Sequence, residues 1–251
     1  MPHRYGAHFD VAAIGEHAAI VTRRGGFLVH LEIWRRLSDD SVVLCVVADD
    51  RPGLLSLISA SLVVHDVDIT TVKAYTRTVP GTGVLEAVDF LWVRRATANG
   101  LRVEEADVAA IGGVLTALVS GKTTVPSILR SNRLSPPPTT GAPTRVTFEG
   151  SADEGSDILT VETTDRPGLL LGITQALFRA GAQIVASDAA TRDGRVADRF
   201  TIVERDGQRM SRARRLLVQT EVLSAIETIV GATSSSSKRK STRPRDPGES
   251  R

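Results

Sequence analysis

The chain is poor in cysteine, in aromatic residues and in long apolar runs. Cys45 is the only cysteine among 251 residues, so no internal disulfide can form and no cysteine pair is available to a metal. It sits in the apolar run Val42 to Val47 and reads as a core residue rather than a nucleophile. Aromatics make up 4% of the chain, which predicts aliphatic cores. No apolar stretch approaches the ~20 residues of a membrane-spanning helix. Met1 leads straight into polar and charged residues, unlike a secretory signal. The expectation is a cytoplasmic chain with no membrane partner.

Catalytic signatures are missing too. His3, His8, His17, His30 and His65 are scattered, with no pair at i, i+4 beside a glutamate. Neither a nucleophile elbow nor a dinucleotide fingerprint is present. Ser120-Gly121-Lys122-Thr123 invites a phosphate-loop reading, but Thr116 stands where that motif needs glycine, and the segment follows a helix rather than a strand. Gly121 reads instead as a helix stop. No catalytic residue, metal ligand or cofactor is assigned, and the chain is not expected to be an enzyme.

Charge is unevenly placed. Residues 238 to 251 hold six cations against two anions, a surplus of four in a chain whose total is +2, so the remainder is about −2. The basic pI therefore belongs to the tail, and nucleic acid is not an expected partner. With Ser234 to Ser237 before it and Pro244 and Pro247 within it, the segment 233–251 reads as a disordered basic tail. Ser135-Pro136-Pro137-Pro138 through Pro143 reads as a semi-rigid linker, 131–143.

What the chain does have is an internal repeat. Asp50-Arg51-Pro52-Gly53-Leu54-Leu55 returns as Asp165-Arg166-Pro167-Gly168-Leu169-Leu170. Residues 50–77 slide onto 165–192 without a gap, an offset of 115, with twelve identities in 28 positions. A period of this size is a small domain duplicated.

In each copy a short branched run (Val42 to Val47, Ile158 to Val161) predicts a buried strand. The Asp-Arg-Pro-Gly turn follows, with Asp50 and Asp165 expected as helix N-caps. Leu54, Leu55, Ile58 and Leu62, matched by Leu169, Leu170, Ile173 and Leu177, line one helix face. Second strands are predicted at Ile69 to Thr76 and Ile184 to Thr191, and third strands at Val84 to Val93 and Val196 to Val203. The Asp193-Gly194 pair signals a hairpin. A closing helix carries Val108, Ile111, Leu115 and Leu118, or Leu216, Leu217, Val222, Leu223, Ile226 and Ile229. Thr123 to Leu129 is the candidate last strand of the first copy, and the second shows none. Arg145 to Phe148 is a candidate extra strand ahead of it. Asp10 to Val21 reads as a helix with Val11, Ile14, Ala18 and Val21 inward, and Gly26 to Arg36 as a strand. Trp34 and Trp92 read as core or contact residues. The pattern is the split βαβ arrangement of ferredoxin-like sheets.

The turn suits a small anion, because a helix start offers free N–H groups and a partial positive charge. Gly53 and Gly168 let a ligand approach the backbone. An α-carboxylate fits there, and Asp50, Asp165, Asp68 or Gln183 could accept from an ammonium. Arg51 and Arg166 either reach a carboxylate or stay solvated. Asp188 and Asp198 face solvent or line a pocket, and Asp89 lies near the position of Asp198.

These residues resemble the ACT domain, a ligand-binding regulatory module with a βαββαβ fold whose first strand and helix are joined by an Asp-Arg-Pro-Gly-Leu-Leu turn. The tandem, preceded by Met1-Pro2-His3-Arg4-Tyr5 and by His17, resembles the C-terminal region of the bifunctional PII uridylyltransferase/uridylyl-removing enzymes. In ACT domains the second strand often opens on Asn; here the positions are Asp68 and Gln183. The nucleotidyltransferase and hydrolase motifs of those enzymes are not found in this sequence. The resemblance implies an α+β chain of two ACT domains: an N-terminal segment 1–38, copies at 39–130 and 144–232, and the linker and tail already named. It implies an amino acid ligand, glutamine, held by Asp50, Arg51, Pro52, Gly53, Leu54, Asp68, Asp165, Arg166, Pro167, Gly168, Leu169 and Gln183. It also implies a partner protein, or a dimer formed through ACT sheet edges. The alternatives are a C-terminal piece of a split or truncated uridylyltransferase, and an ACT interaction module that has lost its ligand.

Overall fold

A computed structural model of the chain describes residues 3–96, 101–129, 143–150, 155–192 and 194–237. The elements are α1 (His3–His8), α2 (Val11–Arg24), β1 (Val29–Arg36), β2 (Val42–Asp49), α3 (Leu54–Val63), β3 (Val67–Thr78), β4 (Leu85–Arg95), α4 (Glu105–Val119) and α5 (Val125–Leu129). After them come β5 (Arg145–Gly150), β6 (Asp157–Thr164), α6 (Leu169–Arg179), β7 (Ala182–Arg192), β8 (Arg195–Glu204) and α7 (Arg212–Ser237). No helix among the described residues is long and apolar enough to cross a membrane. Most of the linker expected at 131–143, and the tail from 238, lie outside the described residues. α7 runs to Ser237, past the expected start of the tail.

All eight strands form one antiparallel sheet in the order β1-β2-β4-β3-β7-β8-β6-β5. Matching the strands of the two copies makes this order palindromic; the 115-residue offset holds through β3 and β7, and becomes 109 at β4 and β8, since Arg77 lies opposite Glu86 and Arg192 opposite Arg195. Each copy supplies four strands, and the copies join edge to edge through β3 and β7. At that junction Lys73 lies opposite Asp188, the same position of the repeat in each copy, and their side chains pair at 3.4 Å.

The expected last strand is the main correction. Residues 125–129 form the short helix α5, not a strand. Pro126 has no N–H for a ladder and fits a first helical turn. The place beside the first strand of each copy is taken by a strand that precedes it: β1 beside β2, and β5 beside β6. The sheet position is that of a βαββαβ fold, but the connection is ββαββα. β7 and β8 pair as a hairpin, with Arg192 opposite Arg195, and Asp193 of the expected turn lies outside the described residues.

One face of the sheet carries α3, α4, α6 and α7. Their apolar residues and those of both half-sheets make one aliphatic core, including Leu44, Ile58, Leu91 and Leu115 from the first copy and Leu159, Ile173, Leu177 and Val222 from the second. Burying each such side chain is worth ~1.5–3 kcal/mol. α3 packs against α6 across the copy boundary, and α5 covers that seam with Val125 against Ala60, Leu118 and Leu171. In α7 the inward residues are Val218, Val222 and Ile226, whereas Leu216 and Leu217 are exposed, contrary to expectation. The side chain of Ile229 lies outside the description.

Among the described residues, helices cover the other face over the first copy, where α1 and α2 lie on Val43, Cys45, Val47, Val88 and Phe90. The buried residues of α2 are Ala13, His17, Ile20 and Arg24; of the four expected inward, Ile14 and Val21 pack partly buried against the cluster, while Ala18 and Val11 are exposed. Polar partners explain the shift from the expected face. His17 Nδ1 lies 2.6 Å from Tyr5 Oη, and Arg24 donates to Glu86 and Asp49 at 2.6 and 2.7 Å. Trp34 and Trp92 pack into this cluster, and Cys45 is buried, as expected.

Candidate functional site

The two Asp-Arg-Pro-Gly turns have the same local build. In each, the N–H of the leucine after glycine donates to the arginine carbonyl (Leu54 to Arg51 at 3.2 Å, Leu169 to Arg166 at 3.1 Å). The glycines, not the aspartates, are the N-caps: Gly53 and Gly168 have φ of 82° and 77°, a left-handed conformation that disfavours side chains. The helices thus begin later than the turn signature suggests. Asp50 is held at the end of β2, where its Oδ2 accepts from the Thr76 hydroxyl at 2.9 Å.

Each turn faces the other copy. The first pocket, a cavity of about 30 Å³, combines the turn Asp50 to Ser56 with Phe178 of α6 and Gln183 of β7. The second, also about 30 Å³, combines Asp165, Arg166 and Gly168 to Leu171 with Val63 of α3 and Asp68 of β3. The expected residues therefore assemble crosswise: Asp50, Arg51, Pro52, Gly53 and Leu54 with Gln183, and Asp165, Arg166, Gly168 and Leu169 with Asp68. Pro167 does not line the second pocket. Ser59 and Thr174 on the facing helices also line the two sites and were not anticipated; the 115-residue offset pairs them with each other.

Each pocket has a buried carboxylate in its lining. Asp89 lies opposite Ala74 and Asp198 opposite Ala189, so the two are equivalent. Each is 4% exposed, and burial raises each pKa from 3.8 to about 8. Asp89 accepts only the weak 3.3 Å bond from the Tyr75 N–H, and Asp198 a bond from the Ala190 backbone. Among the described residues neither has a cation in ion-pair range. Burial also raises Asp50, Asp165 and Asp68, the last with a further push from Asp165.

The two arginines part company. Arg51 donates to the Val119 carbonyl at 2.8 Å, which is the end of α4. That carbonyl is free because Gly121, with φ of 73°, stops the helix there, as expected from the sequence. Matching the buried residues of the two helices, Ile111 with Val218 and Leu115 with Val222, puts Ile226 in the place of Val119. Ile226 lies well inside α7, where carbonyls are already bonded. Arg166 accordingly has no such acceptor. It is 8% exposed, donates to the Thr163 hydroxyl at 3.2 Å, and its Nε has no partner among the described residues; burial lowers its pKa.

Comparison with known proteins follows the same line. No family model matches the chain. It is 26% identical over 229 residues to the bifunctional uridylyltransferase/uridylyl-removing enzyme of Rhodospirillum rubrum, covering 89% of this chain and 24% of that one. The enzymes of the same name from Ruegeria pomeroyi and Gluconobacter oxydans are each 28% identical, over 74% and 77% of this chain and 20% of their own. The chain resembles these enzymes. It spans about a quarter or less of the length of these curated relatives. A solved structure, an unknown protein from Galdieria sulphuraria, aligns at 18% identity over 76% of this chain and 92% of its own, with a TM-score of 0.21, too low to bear on the fold.

Proposed function

We propose that the chain is a regulatory unit of two ACT domains that binds a small amino acid where its copies meet. The observation that carries this reading is the crosswise build of both pockets, each made from the turn of one copy and the second strand of the other. A ligand held there touches both copies at once, so its affinity depends on how they are juxtaposed, which is the physical basis of allostery. The helix start suits a carboxylate, and Asp89 or Asp198 suits an ammonium. Glutamine is the ligand favoured by the likeness to the uridylyltransferase/uridylyl-removing enzymes, and nitrogen regulation in the cytoplasm is the setting it favours. The outer edges β1 and β5 are the surfaces through which a partner protein, or a second copy, would read the state of the unit.

The test is a thermal-shift screen of the full chain against the twenty amino acids and 2-oxoglutarate. A ligand present at a hundredfold its Kd adds ~2.7 kcal/mol to the folded state. A rise with glutamine supports the reading in full, and a rise with another amino acid keeps the sensor and removes glutamine. No rise at millimolar concentrations sinks the ligand and leaves an interaction module. Phe178 favours that second reading at the first pocket, since its ring would lie 2.8 Å from a Cβ placed on Gly53.

A further inference from the structure

The two pockets are built from equivalent residues, but the groups in them are not equally available. In the first pocket the guanidinium of Arg51 is spent on the end of α4. The space over Gly53 is filled by the Phe178 ring, three of whose atoms would lie within 3.1 Å of an added Cβ. Glycine there adopts a φ of 82° and leaves room for a side chain of the other copy. In the second pocket the residue equivalent to Phe178 is Val63, which is smaller. Arg166 lines this pocket, is more than nine-tenths buried, and keeps an Nε with no acceptor. A buried, incompletely bonded guanidinium is costly unless an acceptor arrives. The acids differ as well: the second pocket has Asp68 where the first has Gln183.

We propose that the second pocket alone is the amino-acid site, with Arg166 taking the ligand's α-carboxylate and Asp198 its α-ammonium. The first pocket is then a closed contact that holds the copies together. The assignment rests on the amino-acid reading proposed above and narrows it to one site. Each half of the ligand meets a buried group of the pocket that is incompletely bonded among the described residues. A carboxylate gives the planar guanidinium its missing acceptor, in the geometry arginine suits best. An ammonium gives Asp198, buried and without a cation, a charged partner. Asp165 and Asp68 stand beside the same site, so a zwitterion or a cation is admitted more readily than a dicarboxylate.

Calorimetric titration of the full chain tests this, with L-glutamine as the first probe and the other nineteen amino acids after it. One site per chain is expected. Arg166→Met should weaken binding about tenfold or more, and Arg166→Lys, which keeps the charge without the fork, should weaken it less. Asp198→Asn keeps the shape of the side chain and should also lose about tenfold, which guards against a variant at Arg166 that merely fails to fold. Arg51→Met should leave affinity within about twofold. Two equivalent sites, or an equal loss with Arg51→Met, overturn the assignment and leave the amino-acid reading standing. No binding of any of the twenty overturns both.

Discussion

Position for position, the two copies treat the face away from their main helices in opposite ways. In the first copy β2 and β4 present Val43, Cys45, Val47, Val88, Phe90 and Trp92, and α1 and α2 lie across them. The equivalent residues of the second copy are Ile158, Thr160, Glu162, Ala197, Arg199 and Thr201. There Glu149 accepts from Arg199 at 2.8 Å and from Thr160 at 3.2 Å, and no helix among the described residues covers the strands. One backbone supports a buried apolar face and a mixed one, with Glu162, Ala197 and Arg199 exposed and Ile158 and Thr160 buried, because alternate residues of a strand point to opposite sides. What covers a sheet is decided by side chains, independently of the pairing that makes it.

The comparison breaks most readily at Phe90. Phe90→Ala should destabilise the chain by about 3–5 kcal/mol, whereas Arg199→Ala, its counterpart, should stay within ~0.5 kcal/mol. Urea unfolding of both variants measures this, and equal losses would mean that the two faces are not different after all.

The copies agree, in contrast, at Asp89 and Asp198. Both have folded pKa values raised by burial to about 8 from a reference of 3.8. The folded state therefore holds more protons than the unfolded one between about pH 4 and pH 8. The stability these groups contribute is fully present below pH 4 and is lost as pH rises through 8, with a slope of up to ~1.4 kcal/mol per pH unit from each. Asp89→Asn and Asp198→Asn should each flatten that decline in a series of melts from pH 5 to 9. A steeper decline in either variant would contradict the assignment of a neutral buried carboxyl.

A smaller effect is expected at the seam. Lys73 and Asp188 occupy one repeat position and face each other across β3 and β7. Pairing two identical copies would oppose two like charges there, so the difference favours joining unlike copies. Lys73→Asp should cost about 1 kcal/mol at low salt, and the double exchange Lys73→Asp with Asp188→Lys should restore most of it. Failure of the exchange to restore stability would remove the pair from the junction's specificity.

The helix faces were legible to different degrees, for reasons that particular residues show. The stripe of α4 was readable because Val108, Ile111, Leu115 and Leu118 are apolar and inward alike. In α2 the inward positions include His17 and Arg24, which only their distant partners Tyr5, Glu86 and Asp49 make tolerable inside. In α7 the exposed Leu216 and Leu217 look like core to any periodicity. The edge strand was misplaced because β1 and Thr123 to Leu129 are both plausible next to β2, and hydrogen-bonding partners are not a local property.

By itself the sequence determined the duplication, the turn, most helix and strand types, the stop at Gly121 and the aliphatic core under the main helices, but not the aromatic cluster under α1 and α2, since each of the former depends on propensity or spacing within a few residues. Tertiary structure alone decided that the turns meet the opposite copy's second strand, and that Asp89 and Asp198 are buried without a cation. It also decided that Arg51 and Arg166, identical in their local motif, have different fates. The reason is physical: an arginine's partner is whichever acceptor the packing leaves free. Val119 offers a carbonyl because its helix stops, and Ile226 offers none because its helix continues.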